Sequence, residues 1–471
     1  MHGMNNLYDR LKNYSQSDSY PYHMPGHKRQ KLTESLAAIA DIDITEIYDF
    51  DNLADPVGIL KEAQDRFASY MDVKKSYYLV NGSTVGILAA ISAAVRKSGK
   101  LLIARNAHKS TYHAMCIRDI EPVYIYPEII EDFNIFEAVK PEQVKDALDN
   151  NSDIDAVIIV SPTYEGRIAD IKSIAEITHS YSIPLIVDEA HGAHLGFING
   201  LEGYSDSACR CGADIVIQSL HKTIPAPTQT AVLHFNSDLV DVKRIEKYLH
   251  VYQTSSPSYP LMACMESAVD YMIAGGAERL QYMKAQFEKL VDDINSKCIY
   301  IEALPFVPYI QDVGKLVFSA KKAGMCGKLL SDYLREQYHL EFEMSVKDYC
   351  LAMFTVADNE DAYSRLLNAL VETDRILESI THNSNEHKNK AVIPMYKAWE
   401  MEGAEVELSE AAGSVANTFV GLYPPGTPIL VPGERITEEH IRELSNYEEL
   451  GYEVTGIHNG MINIINDSLD E

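Results

Sequence analysis

The residues best placed to do chemistry sit in Ser219-Leu-His-Lys222, which directly follows the apolar, β-branched run Ile215-Val-Ile217. Such a run, preceded by Gly212, predicts a buried strand of an α/β sheet. The strand should deliver Ser219, His221 and Lys222 into a loop beyond its carboxyl end. A lysine there, beside a histidine and hydroxyls, can form a Schiff base with an aldehyde cofactor. Taken alone, the stretch also describes a surface lysine after a strand.

Three further stretches carry reactive side chains. Asn81-Gly82-Ser83-Thr84 lies between a predicted strand at 77–80 and an Ala-rich helix at 86–96. A helix N-terminus with two hydroxyls suits an anion. Neither G-x-G-x-x-G nor G-x-x-x-x-G-K-[ST] is present, so a single phosphate fits better than a dinucleotide or a nucleoside triphosphate. A plain helix N-cap is the simpler reading of the same four residues. Arg105-Asn-Ala-His108-Lys-Ser110 follows a predicted strand at 101–104, and Asp188-Glu-Ala-His191-Gly-Ala-His194 follows one at 184–187. The second set could be read as a metal site built from Asp188, Glu189, His191 and His194. Its H-x-x-H spacing is tighter than the i, i+4 pair of H-E-x-x-H, and no metal is expected.

The elements that position these residues alternate. Strands at 77–80, 101–104, 122–126, 156–160, 184–187 and 215–217 are interleaved with helical patterns, which predicts a mostly parallel sheet with helices on both faces. The polar clusters all follow strands, where open α/β sheets bind ligands. Beyond Phe235 the pattern becomes helical, with separate helices at 261–273 and 277–294. Residues 300–375 suggest a smaller α+β unit, and the polar stretch 379–390 a linker. The segment 423–434 is too proline-rich for a helix or a central strand and reads as a rigid loop. The implied division is an N-terminal segment 1–58 contributing to the active-site region, a large domain 59–295, a small domain 296–378 and a C-terminal domain 391–471.

At 471 residues the chain is long for one domain. A formal charge of −28 and a pI near 4.9 disfavour nucleic-acid partners and favour encounter with cationic small molecules. Seven scattered cysteines form no disulfide-like array. Neither an apolar signal region nor a membrane-length apolar run is visible, so a soluble, cytoplasmic protein is expected.

Together these stretches resemble the ornithine/lysine/arginine decarboxylases, pyridoxal phosphate enzymes of fold type I with an aspartate-aminotransferase-like large domain. The matching words are PGHKR at 25–29, NGST at 81–84, HKS at 108–110, SPTYEG at 161–166, DEAHGAH at 188–194, SLHK at 219–222, TSSPSY at 254–259 and YPPGTPILVPGE at 423–434. They occur in the family's order across nearly the whole chain. The chain looks like the compact form without an N-terminal wing domain, closest to biosynthetic arginine decarboxylases. Gln30 stands where the family usually has glycine, and Ala54-Asp55 replaces the usual His-His or Leu-His.

The resemblance implies a role for each residue. Lys222 carries pyridoxal 5'-phosphate, and Asp188 pairs with the pyridine nitrogen. His108 stacks on one face of the ring, with the Ala190–His191 region against the other. Gly82, Ser83, Thr84 and Ser219 hold the phosphate, with His221 near it and near the reacting carbon. Thr254 reaches the phosphate of a neighbouring subunit, which makes a homodimer or larger homo-oligomer the expected form. Glu434 meets the distal cation of a basic amino acid. The implied reaction is decarboxylation of a basic L-amino acid, arginine ahead of lysine and ornithine, within polyamine biosynthesis. Competing readings on this fold are an aminotransferase or another lyase, or a non-catalytic pyridoxal phosphate protein.

Overall fold

A computed structural model describes residues 6–377, 389–422, 428–449 and 454–465. Seven strands form the main sheet: β1 Lys75–Leu79, β2 Lys100–Ala104, β3 Glu121–Ile125, β4 Ile154–Val160, β5 Leu185–Asp188, β6 Ile215–Ser219 and β7 Ala231–Phe235. Their order is β1-β7-β6-β5-β4-β2-β3. β2 runs parallel to β3 and to β4, and β5 runs parallel to β6. β7 is antiparallel to both its neighbours, β1 and β6. The central strands read as continuous apolar runs because both faces are covered, and Ile215, Val216 and Ile217 are all buried.

The chain divides into two compact units. One holds the residues up to Ala94, Asp170–Tyr282 and Thr355–Ala357; the other holds Val95–Ala169, Met283–Phe354 and the chain from Asp358. β1, β5, β6 and β7 belong to the first unit and β2, β3 and β4 to the second.

In the first unit, helix α1 (Gly82–Ala94) follows β1 almost directly, and its residues Val85 to Ile87 and Ala89 to Ala93 are buried. Gly86 makes this possible. A Cβ there would lie 2.8 Å from Leu79 Cδ1 and 3.0 Å from Ile217 Cγ2, so only glycine lets α1 press this closely on β1 and β6. An N-terminal helix, Leu7–Ser15, buries Leu7 and Leu11 as its spacing suggests.

Three local expectations are corrected. Lys222 does not sit in an open loop: β6 passes straight into a one-turn helix, Leu220–Thr223. The two helices expected at 261–273 and 277–294 are one, Tyr259–Lys297. Two glycines, Gly275 and Gly276, cost a helix interior about 1 kcal/mol each relative to alanine, which long-range packing of a 39-residue helix absorbs. The proline-rich segment is part strand. Pro428–Leu430 pairs with Val420–Leu422 at the edge of a three-stranded sheet, where a missing N–H is tolerated. Residues 423–427 of that segment, and 379–388 of the expected linker, lie outside the described residues.

In the second unit, helix α2 (Lys109–Arg118) follows β2. A four-stranded antiparallel sheet is built from Glu302–Ala303, Lys315–Ser319, Cys350–Met353 and Met344–Ser345, and two three-stranded sheets follow nearer the C-terminus. The latter pack with Leu444 and Ile436 around a core that includes Val420, Leu430 and Ile462. This gives the α/β class with smaller α+β parts. Among the described residues no helix is long and apolar enough to cross a membrane.

Candidate active site

The first unit gathers most of the expected residues at the carboxyl ends of β5 and β6. Lys222 Nζ lies 2.9 Å from His191 Nε2. An ammonium can only donate, so His191 Nε2 accepts and a neutral ring carries its proton on Nδ1. Asp188, the last residue of β5, is buried and accepts one hydrogen bond, from Ala190 N–H at 3.2 Å. Burial raises the pKa of its carboxyl, while the Lys222 charge and the Ala190 N–H oppose that rise. A buried carboxylate so lightly hydrogen-bonded suits a cationic partner such as a protonated ring nitrogen.

The anion site takes shape beside it. Ser219 Oγ, at the end of β6, donates to Ser83 Oγ at 3.0 Å in the first turn of α1. Gly82 enters α1 with φ +73°, a conformation glycine adopts freely, and its N–H donates to Gln229 O at 2.9 Å. Thr84 is exposed on the same turn. Helix N–H groups, two adjacent hydroxyls and the dipole of a thirteen-residue helix are the donor set a phosphate monoester needs. His221 Nδ1 donates to Thr230 O at 2.8 Å, which leaves Nε2 as the basic nitrogen of the neutral ring. Thr254 is exposed, and its N–H donates to Asn81 Oδ1 at 2.9 Å, tying it to the loop before α1.

Two residues of the suggested metal set have other partners. Glu189 binds Ser207, Ala208 and Gln218, and His191 faces Lys222.

In the second unit, His108 caps α2. Its Nδ1 accepts from Ser110 N at 3.2 Å and pairs with Ser110 Oγ at 2.8 Å, which fixes the ring and puts the proton of the neutral form on Nε2. Glu434 also lies in this unit. It is buried, and Arg105 Nη2 donates to both its oxygens, at 3.1 and 2.9 Å. Asn389 Nδ2 and Val431 N–H each donate to Oε2 at 2.9 Å. Arg105 in turn lies over the rings of Tyr112 and Tyr124. Three donors from its own chain make four hydrogen bonds to this carboxylate and tie it into the fold. Arg105 stands three residues before His108, and nothing in its spacing links it to a residue 329 positions away.

Of the departures from the family pattern, Asp55 lines an acidic hollow of about 470 Å³ with Glu46, Asp49, Asp51 and Arg10.

A lysine just after β6, a buried acid at the end of β5 and a helix N-terminus with two hydroxyls, on an open α/β sheet, are the arrangement expected of a fold-type I pyridoxal phosphate enzyme. The chain belongs to the Orn/Lys/Arg decarboxylase family, matching its major domain over residues 5–307 and its C-terminal domain over 375–459. It is 31% identical to the arginine decarboxylase of Bacillus subtilis, over 98% of this chain and 96% of that protein. Identity to the inducible lysine decarboxylase of Escherichia coli is 24%, over 85% of this chain and 69% of that protein. The fold is similar to that of the Francisella novicida lysine decarboxylase LdcF, with a TM-score of 0.82 and 18% identity over 98% of this chain and 81% of that one. The protein is thus an amino-acid decarboxylase that uses pyridoxal phosphate.

Proposed function

We propose that this enzyme decarboxylates L-arginine, releasing CO2 and the corresponding amine, ahead of lysine and ornithine. The reading is carried by its 31% identity to an arginine decarboxylase over nearly the full length of both chains, against 24% to a lysine decarboxylase. An acidic surface and the hollow around Asp55 are consistent with a cationic substrate.

Pyridoxal phosphate, when bound, supplies the electron-withdrawing ring that takes up the electron pair left as the carboxyl departs. Lys222 holds the cofactor, and Asp188 keeps the ring nitrogen protonated. His191 sets the position of the Lys222 amine through their 2.9 Å contact. Gly82, Ser83, Thr84 and Ser219 hold the phosphate. By the family resemblance, His108 covers one face of the ring and Thr254 reaches the phosphate of a second subunit, so the working form is a homodimer or larger. The proton returned to Cα comes from the Lys222 amine or from His221. Glu434, through its ion pair with Arg105, supports the turn that carries His108. The domain division 1–58, 59–295, 296–378 and 391–471, a cytoplasmic location and a place in polyamine biosynthesis belong to the same reading.

Incubating the purified protein with arginine, lysine and ornithine separately, and identifying the amine released, tests the substrate. Arginine should give the highest kcat/KM. A higher value for either of the others reassigns it.

A further inference from the structure

Behind the site, on the opposite face of β5 and β6, lies a row of buried polar side chains that the reaction does not use. Residues alternate faces along a strand, so Glu189 and Gln218 share one face while Asp188 and Ser219 share the other. Glu189 Oε1 accepts from Ala208 N–H at 2.7 Å, and its Oε2 accepts from Ser207 Oγ at 2.7 Å and from Gln218 Nε2 at 2.6 Å. Gln218 Oε1 faces His234 Nε2 at 3.2 Å on β7, and His234 Nδ1 faces Ser76 Oγ at 2.7 Å on β1.

The direction of the row is fixed by its ends. When Glu189 is ionised it only accepts, so Gln218 presents its amide N–H to Glu189 and its oxygen to His234. His234 then donates from Nε2 and accepts from Ser76 at Nδ1. Burial holds His234 down to about 3, which keeps it neutral, as this pattern requires. Every polar side-chain atom in the row has a partner, and the row runs from β1 across β7 and β6 to Glu189, the residue that follows β5.

The sheet register explains what such a row does. Asp188 is paired with Ile217, and Ser76 with His234. A slip of one residue would move every side chain of a strand to the other face. It would carry Asp188 away from the site and leave the polar row in an apolar layer with nothing to bind. A buried network that is satisfied in only one register specifies that register.

We propose that Glu189 and Gln218 are positioning residues: with His234 and Ser76 they lock β5 to β6 in the one register that sets Asp188 and Lys222 against the same cofactor. The inference rests on the cofactor site already described and goes beyond it, since none of the four touches cofactor or substrate.

The test compares the full-length wild type with Gln218→Leu, with the apolar row Glu189→Met/Gln218→Leu/His234→Leu, and with the exchange Glu189→Gln/Gln218→Glu. The readouts are the dissociation constant for pyridoxal phosphate, the visible circular dichroism of the bound cofactor and Tm. The wild type, measured in parallel, must bind the cofactor; if it does not, the site assignment has failed rather than the lock. Gln218→Leu is expected to weaken cofactor binding about tenfold or more and to change the dichroic band. The apolar row should do the same even with Tm equal to or above the wild-type value, because apolar replacement of a buried polar set is often neutral for stability. The exchange keeps the links from position 189 to 218 and from 218 to His234, with the charge moved to β6 and the Ser207 hydroxyl turned to accept, and should bind the cofactor within about threefold of wild type. Wild-type affinity and dichroism in Gln218→Leu overturn the proposal. So does an exchange variant as weak as Gln218→Leu, whether or not the apolar row folds.

Discussion

Arg105 and Glu434, 329 positions apart in sequence, form a buried bidentate ion pair in which one guanidinium nitrogen donates to both carboxylate oxygens. Asn389 and Val431 complete the carboxylate's hydrogen bonds. Arg105 lies three residues before His108, and its carbonyl accepts from Tyr112 Oη at 2.6 Å, which ties the turn carrying His108 to α2.

Removing one member of this pair strands a buried charge. Glu434→Ala is therefore expected to lower unfolding free energy by about 3–5 kcal/mol. The ratio of kcat/KM values among arginine, lysine and ornithine should stay at its wild-type value, because the carboxylate is spent within the chain. Denaturant titration and a three-substrate comparison check both parts. A variant of native stability with altered discrimination would return Glu434 to the substrate.

Asp188 is buried with a single N–H donor, in a place that fits a cationic ring nitrogen. Asp188→Asn keeps the shape and removes the charge. Turnover at saturating cofactor should fall by about 10²–10³-fold, the scale of losing one preorganised electrostatic partner in a dry site. Steady-state kinetics with a cofactor titration separate this loss from weaker binding.

Burial pushes Glu189 up to about 7, against the hydrogen bonds from Ala208, Gln218 and Ser207. Its ordinary value is 4.5. Between these two values the folded protein holds a proton that the unfolded chain releases, so stability falls as pH rises through that window. The contribution is about 3 kcal/mol in all. Glu189→Gln cannot titrate. The wild type should therefore lose stability relative to this variant from about pH 4.5 to about pH 7. Chemical denaturation at several pH values gives the difference directly, and a flat difference contradicts the assignment.

Gly86 is the close-packing point between α1 and the strands that end at the site. Gly86→Ala should cost about 1–3 kcal/mol through overpacking, despite alanine's better helix propensity. Thermal unfolding checks the sign, since a freely adjustable helix would instead be stabilised.

Much of this architecture is legible in the sequence. Period-two and continuous apolar runs locate the strands, and within the first unit Ser83, Asp188, His191, Ser219 and Lys222, all at or just beyond strand ends, come together at the carboxyl ends of β5 and β6. The strand ends shift by a residue or two, as with Asp188, which closes β5 instead of following it. What is hidden depends on partners far along the chain. Gln218 is a polar residue inside an apolar strand, a visible signal, yet its role appears only when β7 and β1 bring His234 and Ser76 alongside. The continuous helix Tyr259–Lys297 overrides two glycines because tertiary contacts outweigh local propensity. Glu434 was legible as a motif residue, but its partner Arg105 was not, because no spacing rule connects two residues that meet only through the tertiary fold.

Every proposed role at the site depends on Lys222 being the residue that carries pyridoxal phosphate. Borohydride reduction of the holoenzyme, followed by peptide mapping with mass spectrometry, tests it most directly. The pyridoxyl group should appear on the peptide containing Ser219-Leu-His-Lys222 and on no other, and Lys222→Ala should yield no reduced adduct while remaining folded. A stable adduct on a different lysine, or none in the cofactor-saturated wild type, contradicts the claim.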